Sequence, residues 1–244
     1  MSEILSNTVN YGTITRILKT NERRLSMRKL PLFPLNTVLF PTTPVRLHIF
    51  EERYRLMIGQ CIAEKQPFGV VALQRGSEVE AGGQHQDLYS VGCTAVITEH
   101  QKLHDGRMNI VALGYDRFRI LSVDQEQPYL QAVVEDFPLD LTAATAVGFA
   151  RRLRPWVLRY LRLLGRAENV DIDNQRIPES ALELAYVSAS LLRVSLSEKQ
   201  ELLAMNTLHS LVSKLYTYYR KEVTLLNLML ATERVREEGP FSLN

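Results

Sequence analysis

The sequence predicts an α+β protein in which a run of short strands, broken by one early helix, precedes a region of helices alone. Three observations lead there. Between Lys29 and Phe137 the text is dominated by two-residue alternation and by β-branched and aromatic residues. From about Leu141 the apolar period lengthens to that of a helix. The chain has 244 residues, 45% hydrophobic and 23% charged, which is enough to bury a substantial core without staples. Six or more short strands around one helix suggest a compact barrel or pseudo-barrel. Strands first and helices afterwards argue for segregated halves.

Residues 1–27 are polar, mixed in charge and weakly periodic, and are expected to form a loose extension; Met27 is an alternative start. KLPLFPL (29–35) is apolar but carries Pro31 and Pro34, which cannot donate to a ladder, so an edge or irregular strand is expected. VLFP (38–41) and VRLHIF (45–50) follow as strands around the Pro41-Thr42-Thr43-Pro44 breaker. Phe50, Tyr54, Met57, Ile58, Cys61 and Ile62 recur at helical spacing, with Glu51 and Glu52 in the first turn, predicting a helix over about 51–64 that ends before Pro67. FGVVALQ (68–74) reads as a strand, 75–89 as a polar loop, and VGCTAVITEH (91–100) as an alternating strand. Asp105-Gly106 is a hairpin dipeptide between this strand and RMNIVAL (107–113). RFRILSV (117–123), with Phe118 and Ile120 opposite Arg117 and Arg119, and YLQAVVEDF (129–137) complete the β region over 28–138.

The helical region is expected over 139–236, with a tail from 237 to 244. Residues 143–164 form one helix or two, because Pro155 must begin, kink or break it. A polar loop at 165–178 precedes a helix over 179–193. Ser197 with Gln200 reads as a capping box opening a helix to about Ala204, and a longer helix runs from about Thr207 to Val235.

The balance of 29 basic and 27 acidic residues, net +2, gives no global attraction to nucleic acid or an anionic membrane. No stretch approaches a membrane span, and no signal-peptide pattern opens the chain. Cys61 and Cys93 sit among apolar residues and read as buried free thiols. A cytoplasmic protein is expected. There is no P-loop, G-x-G-x-x-G, C-x-x-C, H-E-x-x-H or G-x-S-x-G pattern. Ser26 and Lys29 form an S-x-x-K without companion motifs. No enzyme chemistry and no cofactor are expected. His100 and His104 flank the hairpin turn without an evident third ligand, so no metal site is expected either.

LPLFPLNTVLFP (30–41), IFEERYRLMI (49–58), VGCTAVI (91–97), DGRMNIVALGYDRFRI (105–120) and PYLQAVVE (128–135) occur in order, followed by SLSEKQELLAMNTL (195–208). Together they resemble the successive signatures of the Lon protease N-terminal, substrate-binding domain, across roughly residues 28–232. The D-G-R-x-x-I-x-x-x-G-x-x-R-F-R-I string is the most specific of them. The resemblance implies a PUA-like β-barrel followed by a helical bundle. It also implies a non-catalytic module that binds unfolded or partly unfolded polypeptide, as an adaptor or chaperone-like protein in quality control, with a protease or chaperone as a further partner. Lon proteases continue into ATPase and Ser-Lys peptidase modules, and the chain reaches Asn244 before either, so a stand-alone domain is expected.

Two sets of residues are candidate sites. The segment around Leu32, Phe33, Pro34 and Phe40 offers an apolar edge for an extended peptide, or these side chains simply fill the core, where large apolar residues usually lie. Arg151, Arg152, Arg159, Arg162 and Arg166 fall within about a third of a helix circumference, opposite Leu153, Val157, Tyr160, Leu161 and Leu164. That stripe is either a solvated face or a docking surface for an acidic partner or nucleic-acid phosphates. An RNA- or ribonucleoprotein-binding module is therefore the alternative function. Trp156 with Tyr160 reads as core or interhelical packing, and of Tyr216, Tyr218 and Tyr219 on the last long helix one or two are expected to be buried and the rest to be amphipathic surface.

Overall fold

The computed structural model describes residues 27–74, 88–124, 126–142, 145–170 and 177–237. The expected N-terminal extension up to residue 26, the loop over 75–87, the stretch 171–176 and the tail from 238 lie outside the described residues. The described chain is mixed α+β. Its elements in order are β1 (Arg28–Leu35), β2 (Pro44–Ile49), α1 (Glu52–Glu64), β3 (Phe68–Ala72), β4 (Val91–Lys102), β5 (Met108–Asp124), β6 (Gln131–Asp136), α2 (Thr145–Glu168), α3 (Ala181–Leu191), α4 (Leu196–Leu203) and α5 (Leu208–Glu237). Two compact units result. One contains the strands, α1 and the segment Ala189–Asn206 that carries α4. The other contains Asp140–Ser188 and the chain from Thr207.

In the strand unit the order is β2-β5-β4-β3-β1-β6, and β6 pairs with β5 as well as with β1. The ladder therefore returns on itself through β5, β4, β3, β1 and β6, with β2 added at the flank. The length of β5 permits this. Residues 108–113 pair with β2 and 118–124 with β6, while β4 runs along the opposite side. Sequence patterning predicts two strands here, over 107–113 and 117–123. One strand of 17 residues is found. The Thr94 hydroxyl spans the irregular point, accepting from the Asp116 N–H (2.9 Å) and donating to its carbonyl (3.1 Å) beside a register shift in β4.

The expected edge position of β1 is corrected: it stands between β3 and β6. Its prolines survive there because β1 changes partner in the middle. Residues 28–31 pair antiparallel with β6, and 32–35 pair parallel with β3. The Leu32 N–H reaches Leu130 on the β6 side, and the Leu35 carbonyl accepts from Leu73 beyond β3. By alternation, the missing N–H of Pro31 faces the β3 side before that pairing begins. That of Pro34 faces the β6 side after that pairing has ended. Neither proline removes a ladder bond.

The predicted strand at 38–41 is also absent. Val38, Leu39 and Phe40 are buried in an irregular connection, closed by Thr43 Oγ1 donating to the Phe40 carbonyl (2.7 Å) and by the Thr42 N–H bonded to Gly114 (2.8 Å). Helix α4 starts two residues earlier than expected. Its capping box uses Ser195 and Glu198, because the Gln200 side chain is buried and donates to the Val91 carbonyl (2.7 Å). Both faces of β1 are covered. Phe33 and Leu35 join Tyr54, Met57, Ile58 and Cys61 of α1 in one cluster, and Leu30 and Leu32 join Phe118, Ala132 and Val134 in another. A strand covered on both faces reads as a continuous apolar run, as KLPLFPL does.

In the helical unit α2 is one helix through Pro155. The ring lies on the exposed side, where water can take the Arg151 carbonyl that loses its partner. Leu153, Val157, Tyr160, Leu161 and Leu164 are buried, as are Leu208, Leu211, Val212, Leu215, Tyr219 and Val223 of α5. Tyr160 meets Tyr219 edge to face at 5.2 Å, and the Tyr219 hydroxyl donates to the Ser188 carbonyl (2.9 Å). Tyr219 is thus the buried member of its trio.

Candidate functional site

The four residues of the expected peptide edge have core positions. Leu32, Phe33, Pro34 and Phe40 are all buried, and Phe33 stacks on Tyr54 of α1 with ring centroids 4.2 Å apart. Leu32, Phe33 and Pro34 pair through their main chain with β3, Leu32 also reaching Leu130, and Phe40 is on no strand.

The strand at the end of the order is β2, which among the described residues pairs on one side only, with β5. Its burial alternates from exposed Pro44 to buried Ile49, the pattern of a half-buried strand. Sequence reading found this strand but not its position, since nothing local distinguishes a flanking strand from an inner one. The Gly114 N–H bonds to the Thr43 carbonyl (2.9 Å). Alternation from that pair turns the main-chain groups of Val45, Leu47 and Ile49 towards β5 and those of His48 to the outer side.

Beside β2 lies a cavity of about 480 Å³, open to solvent and floored by three strands. Register places Arg46, Val111 and Glu99 in one row and His48, Asn109 and Gln101 in the next. The His48 Nδ1–H donates to Asn109 Oδ1 (2.7 Å), and its Nε2 accepts from Arg107 at 3.5 Å. Arg107 is fixed by Asp105 across the hairpin (2.6 Å). The expected tight turn is there, with Gly106 at φ 84°. Hydrogen bonds from Arg107 hold the Asp105 carboxyl below the usual range. Phe50, 58% exposed, stacks beside His48 at 6.2 Å. The groove thus combines an open strand flank, one exposed aromatic ring and charges of both signs. That suits an extended polypeptide better than a small charged ligand.

Arg151, Arg152, Arg159, Arg162 and Arg166 are all exposed on one face of α2, and none has an ion pair among the described residues. Arg154, expected off the stripe, is held by the Pro178 carbonyl (2.7 Å). Sequence reading missed what lies along the stripe. Trp156 meets Tyr216 of α5 edge to face at 5.9 Å, with the Arg220 guanidinium 5.8 Å and 5.7 Å from the two rings.

Arg117, read from the sequence as an outward residue, is buried and lies 4.6 Å over the Phe137 ring. Its Nη1 donates to the Leu203 and Met205 carbonyls, each at 2.6 Å, at the C-terminal end of α4. Both thiols are buried; burial pushes Cys61 up to about 11 and Cys93 further. Neither is an activated nucleophile. Among the described residues no group of three or more His, Cys, Asp or Glu is placed to hold a metal, and no helix is long and apolar enough to cross a membrane.

The family described as ATP-dependent protease La (LON) substrate-binding domain matches residues 29–221. Among curated proteins, Lon protease 2 of Syntrophobacter fumaroxidans is 29% identical over 203 residues, covering 82% of this chain and 25% of its own length. Lon protease of Anaeromyxobacter dehalogenans is 29% identical over 184 residues, covering 71% and 21%. The chain thus spans about a quarter of the length of these relatives. Among solved structures, a Lon N-terminal domain protein from Xanthomonas campestris aligns with TM-score 0.55 at 20% identity, over 78% of this chain and 98% of that one. The N-terminal domain of a Mycobacterium avium complex Lon protease aligns with TM-score 0.60 at 16% identity, over 79% and 98%. Both likenesses concern the fold.

Proposed function

Since the chain belongs to the ATP-dependent protease La (LON) substrate-binding domain family, we propose that it is a polypeptide-recognition module that does no chemistry itself and holds unfolded or partly unfolded segments. The match over residues 29–221 carries this reading. On it, the returning ladder is the family's PUA-like barrel and the second unit its helical bundle. The protein works in the cytoplasm as an adaptor or chaperone-like factor, handing clients to a protease or chaperone.

The flank of β2 is the seat we assign to the client. An added strand gains main-chain hydrogen bonds whatever its sequence, while the neighbouring groove and Phe50 favour segments with apolar residues at alternate positions. Such recognition suits a binder of unfolded chains, which must accept many sequences. The first candidate, the Leu32–Phe40 segment, then serves as the core wall behind this surface.

The test is a proline in the flanking strand. His48→Pro removes the outward N–H and places a ring in the path of an incoming strand, at a position where a sheet flank tolerates proline. Affinity for fluorescent apolar peptides from an array is expected to fall by about tenfold or more, near 1.4 kcal/mol, with an unchanged circular dichroism spectrum. Unaltered affinity in a folded variant would move the seat away from β2. No peptide binding by the wild type would sink the function itself.

A further inference from the structure

We infer that the helical unit carries a second binding surface, for single-stranded nucleic acid, formed by the arginine face of α2 and the Trp156–Tyr216–Arg220 cluster. From Arg152 to Arg166 the charges extend along about 21 Å of helix at 1.5 Å per residue. The face is basic throughout: Pro155 and Gly148 are the other exposed positions within its arc, and Glu168 lies off it. A helix face that was only solvated would gain by mixing signs, since i, i+3 and i, i+4 pairs of opposite charge stabilise and like pairs oppose. Arg159–Arg162 and Arg162–Arg166 are like pairs at those spacings, so this arrangement costs local stability and calls for an anion to offset it.

The chemistry selects the kind of anion. All five are arginines, whose planar forks match phosphate oxygens in pairs. Trp156 stands about 40° round the helix from Arg152 and 60° from Arg159. It is half-buried, with Tyr216 beside it. Next to Tyr216 the outer face of α5 continues as an open, shallow surface formed by Thr217, Arg220, Lys221, Thr224 and Leu225. A cationic track bordered by aromatic rings is the arrangement that binds single strands by phosphate contact and stacking. An acidic peptide would use the charges but not the rings. The arginine face of α2 itself shows no exposed large apolar side chain among the described residues, whereas Leu225, Leu228 and Met229 are exposed on α5.

Trp156 is the only tryptophan, so intrinsic fluorescence reports from the surface itself. Titrating the full chain with a twenty-residue oligouridylate should change this fluorescence, and the affinity should fall steeply between about 50 and 200 mM salt. The exposed triple variant Arg152→Gln, Arg159→Gln, Arg162→Gln should bind at least tenfold more weakly. It should also lose about two from the slope of log K against log salt, at roughly 0.7 per phosphate contact on a single strand. Its thermal melt checks the fold. Polyglutamate of equal charge should compete poorly. The assignment is overturned if the wild type shows no salt-sensitive binding, if the folded triple variant keeps affinity and slope, or if polyglutamate competes as well as the oligonucleotide. Peptide binding at β2 is measured separately and is untouched by any of these outcomes.

Discussion

Arg117 shows how one residue that looks like surface is a structural anchor. Alternation along RFRILSV puts Phe118 inside and Arg117 outside, yet Arg117 is buried and takes two carbonyls at the end of α4. The Leu203 carbonyl is at the unsatisfied, partly negative end of α4 and the Met205 carbonyl lies just past its cap, so a buried guanidinium is a fitting donor. Arg117→Ala should destabilise the protein by about 3 kcal/mol, since hydrogen bonds to a charged group are worth roughly 1.5–3 kcal/mol. Arg117→Lys, which keeps charge but not the fork, should cost about half of that. Urea unfolding at constant m-value measures both; a change below roughly 0.5 kcal/mol in Arg117→Ala would contradict the anchoring role. The rest of the signature string has comparable duties. Asp105 and Gly106 form the turn, and Ile110 is core. Gly114 lies so close to the Phe40 carbonyl that a Cβ would stand 2.2 Å from its oxygen. Phe118 fills the space a side chain at Gly92 would need. The residues that make the family legible are therefore residues that make the fold. They do not mark the ligand.

Among elements, every described strand and helix was readable from pattern, though β5 was read as two strands and the strand expected at 38–41 is absent, and these failures have physical causes. The prolines of β1 suggest an edge because proline is normally excluded from inner strands. They are admitted by the change of partner between residues 31 and 32, which depends on strands far away in sequence. β5 was read as two strands because the side chain that bridges its irregular point, Thr94, belongs to another strand. Thr94→Val keeps shape and removes the bridge, leaving two main-chain groups of Asp116 without it. The expected cost is about 1–2 kcal/mol, with faster amide hydrogen exchange confined to the region of residues 114–118. A variant with wild-type stability and exchange would mean that the ladder carries the irregularity unaided. The capping box shifted for a similar reason, since Gln200 is drawn into the sheet by Val91. In each case the local rule holds and a distant partner decides between its outcomes.

For the whole molecule, fold class was legible because periodicity changes once and cleanly near residue 141. The candidate sites were legible only in part. The arginine face could be read from helical spacing alone, as its five members share one helix. Its aromatic neighbour Tyr216 and cation Arg220 come from α5, some sixty residues on. The open strand flank could not be read at all, because which strand ends the order is a property of the assembled sheet. The two proposed surfaces fall in different units, the β2 flank in the strand unit and the arginine face in the helical one.

On the proposed function, the protein recognises the unfolded state of other chains. The most direct measurement is its affinity for one client in two forms: a disulfide-bonded protein held native, and the same protein reduced and carboxymethylated so that it cannot refold. Recognition of exposed, extended segments predicts binding of the unfolded form at least tenfold tighter than the native form, weakened in His48→Pro. Equal affinity for the two forms, or binding of neither, would contradict it.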